Sequence, residues 1–285
     1  MEDYTPKKSF STTINNSASP VLYPEESLYG ILDEFEIISL AEMDSVRLMS
    51  RIDTKYLLNR HQLPQLLIKA REHYKILEIN NKRVAAYSTV YWDTDLSEMY
   101  IMHHNRKLNR YKIRMRSYLD SDISFLEIKQ KNNKGITSKR RIEIDNSRFY
   151  NWLLNEREEQ FLAEISPYCF DALRPSLQNS FQRITLVDKE ETERITIDLD
   201  LTYKRIDSSH IHKMEDLVII EMKQGVGSTH SFFYNYLRDM SIQPVNMSKY
   251  CMGMTLIYPA LKSNRFKKKL RLINKITNNT NYASN

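Results

Sequence analysis

The chain has 285 residues, and its 42 lysines and arginines against 36 acids give a formal charge of +6. Seven of these cations follow Ala260 with no acid among them, so the first 260 residues are nearly neutral and the excess lies at the C-terminal end. A hydrophobic content of 41% excludes a wholly disordered chain. We find no apolar run of 18 residues and no apolar signal region, and therefore expect a cytoplasmic protein.

Two cysteines exclude a disulfide scaffold, and five glycines leave no room for a glycine-rich phosphate loop. Any phosphate must therefore be bound by side chains. Residues 1–30 are polar, and we expect a disordered extension. Ser39 and Glu42 have capping-box spacing, which predicts a short helix through Val46, Leu48 and Met49.

Alternation of apolar and polar residues predicts nine strands in the body of the chain. They are 51–59, 75–80, 84–93, 109–118, 124–131, 138–145, 175–187, 194–203 and 216–224. Helical periodicity predicts helices between and after them, over 39–49, 61–72, 95–104, 147–165, 228–240 and 247–258. We expect a single α+β domain over 31–260 with an antiparallel sheet, followed by a basic tail over 261–285.

Most of these strands carry charged residues on one face. Residues i, i+2 and i+4 of a strand share a face, which puts Arg110, Lys112, Arg114 and Arg116 together. The same rule pairs an acid with a lysine in Glu127-Ile-Lys129 and in Glu221-Met-Lys223. One interpretation is a solvated face with a ladder of ion pairs. The other is a sheet that closes with its charged face inward and forms a cationic channel for phosphate and a divalent metal.

Eight short motifs occur along the chain in a fixed order. They are Arg51-Ile-Asp-Thr-Lys55, Tyr91-Trp-Asp93, Arg110-Tyr-Lys112-Ile-Arg114-Met-Arg116, Glu127-Ile-Lys129, Gln182-Arg183, Arg194-Ile-Thr-Ile-Asp198, Glu221-Met-Lys223 and Ser248-Lys249-Tyr250. Over residues 37–258 the set resembles the VTC domain, the polyphosphate polymerase branch of the triphosphate tunnel metalloenzymes, a CYTH-like superfamily. The hydrolase branch carries Glu-x-Glu-x-Lys on its first strand, whereas this chain has only Asp53 before Lys55, which favours the polymerase branch.

The resemblance implies an antiparallel β-barrel, the triphosphate tunnel, with helices outside and a C-terminal helix near one mouth. It implies transfer of the terminal phosphoryl group of a nucleoside triphosphate, with ATP expected, to polyphosphate or orthophosphate, with Mn²⁺ or Mg²⁺ as cofactor. The implied phosphate-contacting residues are Lys55, Arg114, Arg116, Lys129, Arg183, Arg194, Lys223 and Lys249. Arg110, Lys112, Lys139 and Arg141 are further substrate-binding candidates, with Lys139 preferred to Arg140 on the strand after Gly135. Glu221 is the leading metal ligand, and Glu127 is the second.

Alternatives remain open at this point. A metal-dependent triphosphatase uses the same lining with water as acceptor, and a binding module uses it without turnover. A nucleic-acid partner is not expected, because the cations lie on strand faces beside acids. Asp198 and Asp200 are candidates for the metal site or for pairing with arginine, and Tyr56, Tyr91 and Tyr250 for base stacking or core packing.

The remaining features to place are four histidines and the basic tail. His103 and His104 are expected at the surface, and His210 and His212 in a loop. The basic tail is expected to be a solvated end, with an amphipathic helix through Phe266, Leu270 and Ile273 as the alternative. Its candidate partners are polyphosphate, nucleic acid, an acidic protein and an anionic membrane surface.

Overall fold

The computed structural model describes residues 28–45, 51–225 and 231–277. They form eleven strands, nine α-helices and three short 3₁₀ turns. The strands are β1 (Glu36–Ile38), β2 (Arg51–Asn59), β3 (Tyr74–Leu77), β4 (Ala85–Asp93), β5 (Arg110–Tyr118), β6 (Ile123–Lys131), β7 (Thr137–Ile144), β8 (Arg174–Asp188), β9 (Glu193–Arg205), β10 (Ile211–Met214) and β11 (Leu217–Gly225). The helices are α1 (Leu28–Asp33), α2 (Leu40–Ser45), α3 (Leu63–Ala70), α4 (Glu98–His104), α5 (Asn146–Asn151), α6 (Glu156–Ile165), α7 (Phe232–Asp239), α8 (Lys249–Ile257) and α9 (Lys267–Thr277).

Eight strands form a continuous antiparallel path in the order β2-β11-β9-β8-β4-β5-β6-β7. β10 pairs with β9, and β3 joins β8 and carries β1 in parallel. The path ends at β2 and β7, which are not paired with each other. The α+β class with an antiparallel sheet is confirmed, although the sheet does not close completely. We call this incompletely closed sheet the barrel.

The segment before α8 covers part of the free edge of β2. The Val245 N–H donates to the carbonyl of Lys55 at 2.7 Å, which satisfies one group on the free edge of β2. Three residues later, the Ser248 hydroxyl accepts a hydrogen bond from Lys112 Nζ of β5 at 3.1 Å. The segment therefore connects β2 to β5 across the inside of the sheet and leads α8 into the barrel.

Apolar residues cover the outer face of the sheet in two cores. Helices α1, α3 and α7 pack on β2, β11, β9 and β8 through side chains such as Leu66, Ile197 and Phe233. Helices α4, α5 and α6 pack on β4, β5 and β6 through Met99, Met115 and Leu162. Because the strand periodicity is two, burying these residues outside turns the charged residues inward.

A third core lies inside the barrel at one end and is built around α8. This helix is apolar on every side, and most of its residues are buried against β8 and β9. Gly253 makes the contact possible, since a Cβ there would lie 2.4 Å from Leu177 Cδ2 and 2.5 Å from Tyr203 Cδ1. Because α8 is apolar, the charged part of the inner face lies near its first residue, Lys249.

Several sequence-based boundaries need correction. The predicted 1–30 extension overlaps α1, whose Leu28 packs against the outer core, while residues 1–27 lie outside the described residues. The Ser39–Glu42 capping box is present, with Ser39 N donating to Glu42 Oε2 at 2.9 Å, but residues 46–50 of the predicted helix are not described. The predicted helix over 147–165 is two helices, because Trp152 has a left-handed backbone (φ 57°).

The C-terminal tail is also different from the expected solvated end. Phe266, Leu270, Ile273 and Thr277 are buried, so α9 is an amphipathic helix docked on β2 and β11. His104 is buried and lies 2.7 Å (Nε2) from Asn264 Oδ1, so the expectation of a surface residue was wrong. His212 belongs to strand β10 and not to a loop. None of the described helices has the length and apolar content needed to cross a bilayer.

Candidate active site on the inner face of the sheet

Cross-strand register brings the predicted cations together on the inner face. Lys112 of β5 lies opposite Lys129 of β6, which lies opposite Lys139 of β7. Two residues further along β5, Arg114 lies opposite Glu127, and Glu127 lies opposite Arg141. Arg140 lies opposite Ile128 and so belongs to the other face. The preference for Lys139 over Arg140 therefore agrees with the position of each residue in the sheet.

Glu127 connects two of these cations. Its side chain is completely buried, with Arg114 Nε 2.7 Å and Nη2 2.5 Å from Oε2, and Lys139 contacts the other oxygen. Burial opposes ionisation, but the attraction of Arg114 and Arg116 outweighs it, so the pKa of Glu127 lies well below its usual value. The residue is a permanent anion inside the barrel.

Asp198 plays the same part between β8 and α8. Arg183 makes a bidentate contact with it, with Nε 2.6 Å from Oδ1 and Nη2 3.0 Å from Oδ2, and Lys249 contacts Oδ2 as well. Although burial raises it, the pKa of Asp198 falls to about 2 because of these two cations. Of the two roles predicted for Asp198, pairing with arginine is therefore the one that the structure shows.

Asp200 does not join this group. The register between β8 and β9 shifts between Ser180 and Gln182, and Asp200 has a φ of 51°, so the strand alternation is interrupted here. Its carboxylate contacts Arg60 at the end of β2 instead. Strand alternation alone would put Asp198 and Asp200 on one face, but a β-bulge adds a residue on β9 and separates them.

Glu221 is the third carboxylate of the inner face. It lies between Lys55 Nζ at 2.5 Å and Lys223 Nζ at 3.2 Å. Burial opposes its ionisation, yet Lys223 and Lys55 hold its pKa well below the usual value. Its side chain keeps 18% of its accessible surface, whereas Glu127 has none and Asp198 keeps 1%. It is the most accessible of the three carboxylates.

Three more inner-face cations have no carboxylate within ion-pair distance in the described part of the chain: Lys112, Arg116 and Lys129. Lys112 and Arg116 donate to hydroxyls, those of Ser248 and Thr89. Burial and the repulsion of Arg114 lower the pKa of Lys129 to about 7, and burial lowers that of Lys112 to about 8. The inner face thus carries more cations than its acids neutralise.

Three other predicted residues make contacts away from the central carboxylates. Arg110, the first residue of β5, donates through Nη1 to the Lys107 carbonyl at 2.7 Å. Arg194 donates through Nη2 to the Met43 carbonyl of α2 at 2.9 Å. The exposed Arg141 stacks 4.4 Å above the ring centre of Phe125. Arg141 lies opposite Glu127 but its printed contact is with Phe125, and the binding role of all three residues stays a prediction.

The sequence analysis missed an aromatic pair inside the barrel. Tyr87 and Phe181 stack with ring centres 5.1 Å apart, and Arg183 lies 5.1 Å from the first and 5.2 Å from the second. Lys249 Nζ is 4.7 Å from the Phe181 ring. Tyr56, Tyr91 and Tyr250, named as stacking candidates, are 3%, 4% and 2% exposed and therefore pack in the interior. Tyr87 could have been found from Tyr91, because residues four apart on a strand share a face.

Asp93 and Tyr250 fix the position of α8. Asp93 accepts hydrogen bonds from the N–H groups of Thr94, Met99 and Tyr100, so it caps α4. The Tyr250 hydroxyl contacts the same carboxylate. Because Tyr250 follows Lys249, this contact helps to hold the lysine towards Asp198.

The sequence model of the VTC domain matches residues 50–258, most of the chain. The chain belongs to the VTC domain family. This membership confirms the resemblance found in the eight motifs and makes the protein a triphosphate-tunnel enzyme by family. No curated protein sequence matches the chain.

Solved structures similar to this VTC domain include two proposed cyclases. One, from Bacillus halodurans, has 13% identity and a TM-score of 0.48, and the match covers 73% of this chain and 97% of that one. The other, from Hippeastrum and described as having a dominant triphosphatase activity, has 13% identity and a TM-score of 0.40, with 72% and 95% covered. The family assignment rests on the VTC match.

Proposed function

We propose that this VTC domain is a nucleotide-dependent polyphosphate polymerase. It transfers the terminal phosphoryl group of a nucleoside triphosphate, with ATP as the expected donor, to polyphosphate or orthophosphate. The observation that carries the proposal is the excess of positive charge on the inner face. Glu127, Asp198 and Glu221 each contact two cations, while Lys112, Arg116 and Lys129 contact no carboxylate among the described residues. A chain of phosphates is the ligand that such a surface neutralises.

The lowered pKa values support a polyanionic ligand. Lys112, Lys139 and Lys249 have pKa values of about 8, and that of Lys129 is about 7, in each case chiefly because of burial. Each of these ammonium groups is therefore less favoured in the ligand-free protein than a lysine in water. Phosphate oxygens placed among these amines supply the missing negative charge and favour their protonated forms.

In the proposed reaction, a terminal oxygen of the acceptor chain attacks the γ-phosphorus of the donor. The bond from this phosphorus to the β,γ-bridging oxygen breaks, the nucleoside diphosphate leaves, and the chain is longer by one phosphate. Arg114, Arg116 and Arg183 suit the transferred group, because guanidinium groups bind phosphate oxygens in pairs. Their fixed positions stabilise the charge of the transition state without rearrangement.

The carboxylates favour polymerisation over hydrolysis. Glu127, Asp198 and Glu221 have lowered pKa values and each contacts two cations, so they are weak bases. A water molecule needs a base to become a good nucleophile, whereas a terminal phosphate oxygen is already anionic. The inner face is therefore better suited to a phosphate acceptor than to water.

A divalent metal, Mn²⁺ or Mg²⁺, fits this site only together with the substrate. In the described part of the chain, no three His, Cys, Asp or Glu side chains form a metal-binding group. Mg²⁺ is often held by one or two carboxylates and by substrate phosphates, so Glu221, which is more accessible than Glu127 and Asp198, is the ligand that we propose. Glu127 is fully buried between its cations, and its role as a second ligand stays a prediction. The bound metal would neutralise phosphate charge.

The test is to incubate the protein with ATP and Mn²⁺ and to separate the products on a gel. We expect long polyphosphate chains and nucleoside diphosphate. Release of orthophosphate without polymer would point to a triphosphatase, and tight ATP binding without turnover would point to a binding module. A Lys129→Met variant serves as control and should form no polymer.

A further inference from the structure

Helix α9 has one buried face and one basic face. Leu270, Ile273 and Thr277 are buried against the barrel, where α9 contacts β2 and β11. Lys267, Arg271 and Lys275 follow one another at intervals of four residues and are exposed, as is Lys268. Residues four apart on a helix lie on one side, so these cations form a row about 12 Å long. We call these four residues the α9 basic face.

The α9 basic face is part of a larger positive surface. Residues 261–285 contain no acid, and Lys262 and Arg265 before the helix are exposed as well. Asn264 binds His104 of α4 at 2.7 Å, and Phe266 packs against the same imidazole at 5.5 Å between ring centres. The exposed Arg106 and Lys107 follow shortly after α4, so they extend the positive surface beyond the start of α9.

This surface reaches the site on the inner face. Burial, aided by the repulsion of Arg106, lowers the pKa of Lys269 on α9. The buried thiol of Cys251 feels the charges of Lys112, Lys269 and Arg110, although burial raises its pKa overall. Lys112 of the inner face donates to Ser248 Oγ at 3.1 Å, and the Cys251 N–H donates to the same oxygen at 3.4 Å. Cys251 in turn shares a buried cluster with Leu270 and Ile273 of α9, so α9 packs beside the end of the inner face that holds Lys112.

We infer that the α9 basic face binds the polyphosphate chain outside the barrel, an inference that rests on the proposed function. A growing chain must leave the inner face, and cations outside the barrel would keep it bound while the next phosphoryl group is added. The helix is poorly suited to a membrane, because its apolar residues Leu270 and Ile273 are used inside the domain. Leu272, at 36% exposure, is the single large apolar side chain of the helix that is exposed.

The experiment compares the affinities of purified full-length variants for long-chain polyphosphate and for tripolyphosphate. The variant K267Q/K268Q/R271Q/K275Q removes four exposed cations, and R157Q/K189Q/K204Q/R238Q removes four exposed cations elsewhere. We expect the first to bind the long chain about tenfold more weakly and to bind tripolyphosphate as the wild type does. For the α9 variant, the slope of log K for the long chain against the logarithm of salt concentration should be less steep by roughly three units. The second variant should match the wild type with both ligands.

Equal affinity of the α9 variant and the control for the long chain would overturn the inference. So would binding of the wild type to phosphatidylserine vesicles that the α9 substitutions abolish while long-chain affinity is unchanged. Thermal unfolding checks that the variants fold. If the fourfold variant does not fold, R271Q/K275Q replaces it, with about half the expected loss of affinity for the long chain. The proposed function fails separately, when the wild type binds tripolyphosphate but makes no polymer from ATP.

Discussion

The Arg114 guanidinium lies against Glu127, with Nε 2.7 Å from Oε2, and Glu127 is completely buried between β5 and β7. The acid therefore orients the arginine and balances part of the charge inside the barrel. Breaking a buried ion pair on one side commonly costs about 3–5 kcal/mol. We expect Glu127→Gln to lower the free energy of unfolding by about this amount.

Tripolyphosphate should restore part of that stability, because it supplies the negative charge that the substituted amide side chain lacks. Thermal unfolding with and without tripolyphosphate measures both effects. A larger ligand-induced increase in Tm for the Glu127→Gln variant than for the wild type is expected. An equal or smaller increase would mean that Glu127 does not share its cations with the ligand.

Lys129→Met separates binding from stability. No carboxylate pairs with Lys129 among the described residues, and burial and Arg114 lower its pKa to about 7. Removing it relieves repulsion, so we expect the ligand-free variant to be at least as stable as the wild type. Its tripolyphosphate affinity should fall by at least tenfold, about 1.4 kcal/mol. Calorimetry and thermal unfolding test the two parts, and a destabilised variant with normal affinity contradicts both.

Binding should depend on pH in a defined direction. In the free protein Lys129 loses its proton near pH 7, and Lys112, Lys139 and Lys249 lose theirs near pH 8, as their lowered pKa values indicate. A bound polyanion favours the protonated amines, so near pH 8 binding takes up protons from the solvent, and near pH 6 it does not. Calorimetry in buffers of different ionisation enthalpy measures this uptake. Lys129→Met should reduce it, and no uptake by the wild type at pH 8 would refute the explanation.

Glu221→Gln tests the proposed metal ligand. The substitution removes the carboxylate that contacts both Lys55 and Lys223. We expect tripolyphosphate affinity in a chelator to be unchanged or higher, and the increase in affinity caused by Mn²⁺ to be lost. Titration with and without Mn²⁺ measures this. A variant that responds to Mn²⁺ like the wild type excludes Glu221 as the ligand.

Gly253→Ala tests the packing of α8 independently of function. The added Cβ would lie 2.4 Å from Leu177 and 2.5 Å from Tyr203, both of which are buried. Overpacking of this kind costs about 1–3 kcal/mol. Denaturant unfolding should show that loss, with Gly225→Ala, where no heavy atom lies within 4 Å of the new Cβ, as the near-neutral control. Equal stability of the two variants would mean that α8 shifts freely.

Strand alternation predicted much of the inner face. The bounds of β2 were predicted as observed, and the positions of Lys112, Arg114 and Glu127 followed from the period of two. The bulge at Asp200 was missed, because an extra residue in one strand depends on the partner strand and has no local signal. The sequence therefore predicted which residues share a face wherever the pairing is regular.

The helices were less predictable where tertiary contacts decide. Residues 247–258 are periodic but apolar all round, and their place inside the barrel depends on Gly253 fitting against Leu177 and Tyr203. In α9 the many lysines indicated a solvated end, yet burial of Leu270 and Ile273 docks the helix. Tyr87 and Phe181 were not singled out, since their stacking joins two strands distant in sequence.

The most direct test of the central claim is a crystal structure of the protein grown with tripolyphosphate and Mn²⁺. We predict phosphate oxygens within hydrogen-bond distance of Arg114, Arg183 and Lys129, and anomalous scattering from a metal beside Glu221. Tripolyphosphate bound only on the outer surface, with the cations of the inner face still paired as they are without ligand, would contradict the account.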